Sequence, residues 1–318
     1  MKFALKLFIA IVLLAVIIAE VNITAVADIL SRAQPAGLIA ALGFSLAIVA
    51  LDAAFWTTTM RAIGFRIAFR PAVVFSLVGW FFANLAPSTV GADLFRVAQM
   101  RRSGARLEAT LRLVVAARLM SFATLLAVIA VGLPWALHLA RETSDRMLVT
   151  GVFLAAVTAL VALVLTKPVL ARWPAALRIQ ALRRLADVSG DLKGLLAGHP
   201  RAWSGWIFAS LQHVMRVGTV AAIAWSLQAQ AGFADLFTLV PVALLVAMIP
   251  VSLGSWGVRE ASFIYFLGLS GIPPAMALAI SIVYGLARIA IGTVGGVAWV
   301  LARREHYRFD VDPPGRGT

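Results

Sequence analysis

Pro87-Ser88-Thr89-Val90-Gly91-Ala92-Asp93-Leu94-Phe95-Arg96 and Pro250-Val251-Ser252-Leu253-Gly254-Ser255-Trp256-Gly257-Val258-Arg259 are two copies of one pattern, P-x-[ST]-[VL]-G-[AS]-x-x-x-R, set 163 residues apart. Each copy follows a long apolar run, and each sets an acid close to its arginine, Asp93 in the first and Glu260 in the second. A helix breaker, a small-residue turn and a charged pair at membrane depth are costly. Irregular backbone survives there only where protein or water satisfies it, and ionisable groups there mark function.

The surrounding composition fixes the solvent. The 318 residues are 62% hydrophobic and 13% charged, with a mean hydropathy of +0.94. These values describe an all-α polytopic membrane protein rather than a soluble domain. The chain has no cysteine, which excludes disulfides and thiolate metal sites. The net charge of +14 is divided among short loops between apolar spans, so it reads as a topology signal and as contacts for anionic lipid, not as a nucleic-acid surface.

In chain order, Lys2 and Lys6 precede an apolar run from Leu7 to Ala19. It reads as a first span or as a signal segment whose Ala25-Val26-Ala27 offers a cleavage site. A second span runs from about Ala36 to Met60 and carries Asp52. The stretch from Pro71 to Met100 holds the first motif. A third span covers Leu113 to Leu137, with Arg118 near its start, and a fourth covers Met147 to Thr166. Residues 167–201 form a basic loop expected as an amphipathic helix on the cytoplasmic surface. The fifth span, Trp203 to Leu227, holds His213 and Arg216. The second motif region is Asp235 to Gly271, and the last span follows Pro273-Pro274, carrying Arg288. The tail, 303–318, is expected to be disordered.

Charge then sets orientation. With both termini in the cytoplasm of a bacterial inner membrane, cytoplasmic segments hold 20 of the 28 Lys and Arg, outer loops hold three, and five lie at membrane depth: Arg96, Arg118, Arg216, Arg259 and Arg288. Residues 71–100 have basic segments on both sides, so they enter and leave from the cytoplasm. Residues 235–271 have none, so they enter and leave from outside. Half-spans of about 14 residues reach only about 21 Å, short of a hydrocarbon core of about 30 Å. The expectation is about six full spans plus two re-entrant helical hairpins, in one domain over 1–302 built as an inverted repeat with halves of about 1–138 and 147–302. Broken helices in inverted repeats are a transporter signature.

The motif residues suit an anionic head group. Pro87 and Pro250 stop a helix, and Gly91, Gly254 and Gly257 permit a turn. A helix beginning after each turn offers free N–H groups to a phosphate. Arg96 and Arg259 have the fork geometry for it, or else pair structurally with Asp93 and Glu260. Asn84 either caps the backbone freed at the first break or joins the site. Arg118 and Arg288 lie on corresponding spans and line the same cavity or reach to the interface. Asp52 and Arg216 occupy nearly equivalent places, which suggests an ion pair across the pseudo-twofold axis. The sequence has no H-x-x-x-H, G-x-S-x-G or P-loop, and neither a metal nor a cofactor is expected.

At these residues the chain resembles the lysylphosphatidylglycerol synthase transmembrane-region family, also called flippase-like membrane proteins. Asn84 to Pro87 and Gly91 to Arg96 look like that family's N-x-x-x-P-x-x-x-G-G-D-x-x-R region, with Asn84 one residue closer to the proline. Pro250 to Glu260 looks like its P-x-x-x-G-G-x-G-x-R-E signature, and Arg118 and Arg288 match arginines often found on the flanking spans. Ala92 and Ser255 each replace a glycine. Ala117 and Ser121 stand where acids commonly flank the matching arginine, which leaves Arg118 without its usual pairing. The resemblance implies movement of a lipid between leaflets. No synthase domain follows the last span in this sequence, so aminoacyl transfer is not expected. The alternatives are a non-catalytic partner of a lipid or envelope biosynthesis enzyme and an intramembrane lipid-modifying enzyme.

Overall fold

In a computed structural model, which describes residues 2–62, 65–85, 90–170, 202–249 and 255–304, helix is the only regular secondary structure among the described residues. The described residues form α1 (Lys2–Glu20), α2 (Ile23–Ser31), α3 (Pro35–Ala62), α4 (Phe69–Leu85), α5 (Val90–Arg102), α6 (Leu107–Leu139), α7 (Thr143–Leu170), α8 (Ala202–Ser226), α9 (Phe233–Ala247), α10 (Val258–Gly268) and α11 (Pro274–Arg304). Five of them, α3, α6, α7, α8 and α11, are long and apolar enough to cross a membrane, and α1 with α2 makes a sixth candidate bent by 85°. The protein is therefore an all-α polytopic membrane protein. Residues 171–201 and the tail after Arg304 lie outside the described residues, and with them most of the expected surface helix and disordered tail.

Both motif regions break where the proline and glycine pattern places a break. α4 has 17 residues and α5 has 13; α9 has 15 and α10 has 11. None reaches the roughly 20 residues a span needs. In each region the two short helices pack on each other, which makes a helical hairpin.

Adding 163 to α3, α4, α5 and α6 lands within a few residues on α8, α9, α10 and α11. The packing repeats under the same exchange. α4 lies on α11 and α9 lies on α6; α5 touches α6 and α10 touches α11. The most extensive contact is between the equivalent helices α3 and α8. They run antiparallel: Ser226 Oγ donates to the Gln34 carbonyl at 2.7 Å, while further along a Cβ on Gly218 would press on the Phe44 ring at 2.9 Å.

Two apolar cores result, and they sit at opposite ends of the shared spans. Around the first hairpin, Phe75 and Met100 join Phe55, Trp56 and Met60 from the end of α3, Leu113 and Met120 from the start of α6, and Ala209 from the start of α8. Around the second, Leu239 and Phe263 join Ala41 near the start of α3, Ile129 from the later half of α6 and Ile223 from the end of α8. The two hairpins thus dock at opposite ends of α3, α6 and α8.

Candidate functional site

Each hairpin holds its motif arginine in a slot between an indole face and a glycine. In the first, the Arg96 guanidinium lies 4.5 Å from the Trp56 ring and against Gly79 of α4. Arg96 Nη2 donates to Asp52 Oδ2 at 3.1 Å, and its Nη1 lies 3.7 Å from Asp93 Oδ1. Asp93 also takes Arg118 Nε. The four charges form a chain, Asp52–Arg96–Asp93–Arg118, from α3 through α5 to α6. Arg96 Nε is buried with no acceptor.

The second slot is tighter. Arg259 lies 4.5 Å from the Trp256 ring, against Gly285 of α11. Its Nε and Nη2 donate to Glu260 Oε1 at 3.0 and 2.6 Å, and Ser281 Oγ donates to the same oxygen at 3.3 Å. Glu260 Oε2 accepts the Gly257 N–H at 2.6 Å and so closes the N-terminus of α10. A carboxylate 1% exposed is stable only with its lone pairs filled and its charge neutralised, and here both conditions are met. Gly257 itself has φ +85° and presses against Leu13 of α1, so only glycine fits there.

Between the hairpins lies one face of α11. Gly285, Arg288 and Gly292 stack along it at helical spacing. Gly285 meets Arg259 of the second hairpin, and Gly292 meets Asn84 of the first. Asn84 Nδ2 donates to the Arg288 carbonyl at 3.0 Å. Arg216 of α8 donates to His213 Nδ1 at 3.2 Å, and His213 Nε2 lies 2.9 Å from the Ser121 carbonyl. An arginine can only donate and a carbonyl can only accept. His213 is therefore neutral, with its proton on Nε2.

Several expectations change. Asp52 pairs with Arg96, not with Arg216 across the twofold, because Arg216 is turned toward His213. Arg118 keeps an ion pair despite Ala117 and Ser121, because Asp93 reaches it from the hairpin. Asn84 bonds the backbone of a helix from the other half rather than its own break. The free helix end expected for a phosphate is filled at α10 by Glu260. Gly91 lies inside α5. Pro87, Pro250 and Gly254 lie outside the described residues. The structure sets Asn84 on the Arg288 carbonyl and the Arg259–Glu260 pair by Gly285 along one face of α11, and separately brings Asp93, Arg96 and Arg118 together. Sequence reading missed Trp56 and Trp256. Trp56 stands four residues after Asp52 on α3, a spacing that shares a helix face, whereas Trp256 lies in the turn before α10, where no helical spacing marks it.

Two hairpins that stop short of a span, docked at opposite ends of a shared bundle and lined with intramembrane charge, define a polytopic membrane protein built around broken helices. Residues 3–296 match the family model described as lysylphosphatidylglycerol synthase TM region, and the chain belongs to that family. No curated protein matches it. Membership places the protein in a family of membrane proteins with lipid-related function.

Proposed function

We propose that the protein moves a lipid with an anionic or polar head group between the leaflets of the bacterial inner membrane. In this reading the two halves are an inverted repeat, both termini are cytoplasmic, and the hairpins enter from opposite faces. The antiparallel run of α3 against α8 and the docking of the hairpins at opposite ends support it. The observation that carries it is the face of α11 where Arg288 lies between Asn84, which precedes the first break, and Arg259, which follows the second. Polar groups from both hairpins converge on one helix midway along its length, where an intramembrane charge is otherwise hard to explain. The lipid's head would cross along this polar seam while its tails stay in hydrocarbon. The protein changes the sidedness of a lipid and leaves its covalent structure intact.

The test is reconstitution of the full chain in vesicles with a fluorescent phosphatidylglycerol and an impermeant quencher. Vesicles that hold the protein should lose the inner-leaflet signal that protein-free vesicles retain. An inner-leaflet signal equal to that of protein-free vesicles would sink the reading, and a chemically altered lipid would replace it with an enzyme.

A further inference from the structure

We propose that Arg216 and Arg288 form the site that binds a phosphate group, and that Arg96 and Arg259 chiefly hold the hairpins. The identification of the ligand as a lipid rests on the transport reading; the site itself rests on how the arginines are partnered, Arg216 and Arg288 being half-buried. Five arginines lie at membrane depth. Asp52 and Asp93 share Arg96 and Arg118, and Glu260 takes Arg259. Among the described residues no carboxylate bonds Arg216 or Arg288. Among the described residues Arg216 bonds only a neutral imidazole. Among the described residues the Arg288 side chain has no acceptor, although its own backbone carbonyl takes Asn84. α8, which carries Arg216, packs against α11, which carries Arg288, and the Arg259 guanidinium lies against Gly285, three residues before Arg288.

An arginine left without a counter-charge in a low-dielectric interior is unfavourable in the empty protein and becomes favourable when an anion arrives. The fork of the guanidinium fits two oxygens of a phosphate. Arg216 sits midway along α8 and Arg288 midway along α11. The neutral His213, anchored on the Ser121 carbonyl, holds Arg216 in place without cancelling its charge. Arg96 and Arg259 are poorer ligands, since releasing either from its slot strands a buried carboxylate.

The full chain in zwitterionic detergent is titrated with phosphatidylglycerol, phosphatidylcholine and inorganic phosphate, and thermal unfolding is followed. Phosphatidylglycerol should stabilise the wild type. Arg216→Gln and Arg288→Gln should each weaken that effect about tenfold or more, as expected for loss of one charge-assisted pair. Arg32→Gln, on the exposed Asp28 pair, should change nothing. Without added anion, Arg288→Gln should melt above the wild type, because the unpaired cation is gone, whereas Arg259→Gln should melt below it. Stabilisation by inorganic phosphate that Arg288→Gln removes would support the site and make its ligand a free phosphate, at the expense of the transport reading. If Arg216→Gln and Arg288→Gln bind phosphatidylglycerol like the wild type, the site is wrong; loss in Arg96→Gln instead would leave the transport reading standing. Should the glutamine variants fail to fold, Arg288→Lys keeps the charge and loses the fork. It should then bind severalfold more weakly, and unchanged binding overturns the proposal.

Discussion

Asn84 Nδ2 donates to the backbone carbonyl of Arg288 across 3.0 Å and 204 residues of sequence. The bond ties the end of α4, in the first hairpin, to the middle of α11, in the second half of the chain. The same amide fills the space above Gly292. Replacing Asn84 with Ala should cost about 1 kcal/mol of stability, the net value of one hydrogen bond, measured as a lower unfolding midpoint in mild detergent. A midpoint equal to the wild type would mean that the bond is exchanged for water without loss.

Glu260 is the more severe position. It neutralises Arg259, caps α10 through Gly257 and accepts from Ser281 while 1% exposed. Glu260→Gln should destabilise by about 3–5 kcal/mol, because a buried guanidinium is left without its charge partner. Thermal unfolding beside Glu108→Gln, at an exposed pair on α6, provides the comparison; Glu108→Gln should move the midpoint by less than about 1 kcal/mol.

Ser255 adopts φ +64° at the exit from the second break. A side chain in the left-handed region costs about 1–2 kcal/mol, which explains why the family pattern has glycine at this place. Ser255→Gly should therefore stabilise by about 1 kcal/mol, less the entropy that glycine adds to the unfolded chain. A fall in the melting temperature would show that the serine side chain contributes a contact worth more than the strain. The other departure, Ala92, is buried inside α5 and needs no such relief.

The seam between α4 and α11 depends on close backbone approach. A Cβ on Gly295 would overlap the Leu77 carbonyl, and one on Gly296 would meet the Phe81 ring at 2.7 Å. Backbone cannot step aside as a side chain can. Gly295→Ala should cost about 1–3 kcal/mol and disturb the first hairpin, whereas Gly43→Ala, with nothing within 4 Å, should be neutral or mildly stabilising. Thermal unfolding of the two variants side by side decides it.

The opposite placement of the hairpins predicts a labelling pattern. Phe69 and Arg102 flank the first hairpin, Ala234 and Ser270 the second, and none of them is buried. In a chain without cysteine, single cysteines at Phe69 and Arg102 should react only from the cytoplasm, and those at Ala234 and Ser270 only from outside. If either pair splits across the membrane, that region spans it and the inverted arrangement is lost.

Much of the scaffold was legible because it is written in local chemistry. Apolar runs of about 20 residues, prolines and glycines at the breaks, and Lys and Arg gathered between the runs are properties of neighbouring residues. They reappear as α3, α6, α8 and α11, with the two hairpins between them. The 163-residue offset carried the element boundaries of one half onto the other because helix length follows from those same signals.

Charge pairing did not follow from the offset. At the 163-residue offset Asp93 falls on Trp256, and Arg118 on Ser281. In the first half, Arg96 draws its carboxylates from α3 and from its own helix. In the second, Arg259 finds its carboxylate in the next residue. Both arginines end between an indole and a glycine, and the two glycines, Gly79 and Gly285, are not equivalent in the repeat. By itself the sequence determined a membrane-embedded, twice-broken helical chain with excess positive charge, because burial in lipid requires helices and the breaks are local. Only the tertiary structure decided that Arg96 reaches Asp52, that Arg118 reaches Asp93, and that among the described residues Arg216 and Arg288 reach no carboxylate. Those two pairs join residues 44 and 25 apart in sequence, which only the crossing of helices brings within hydrogen-bond reach.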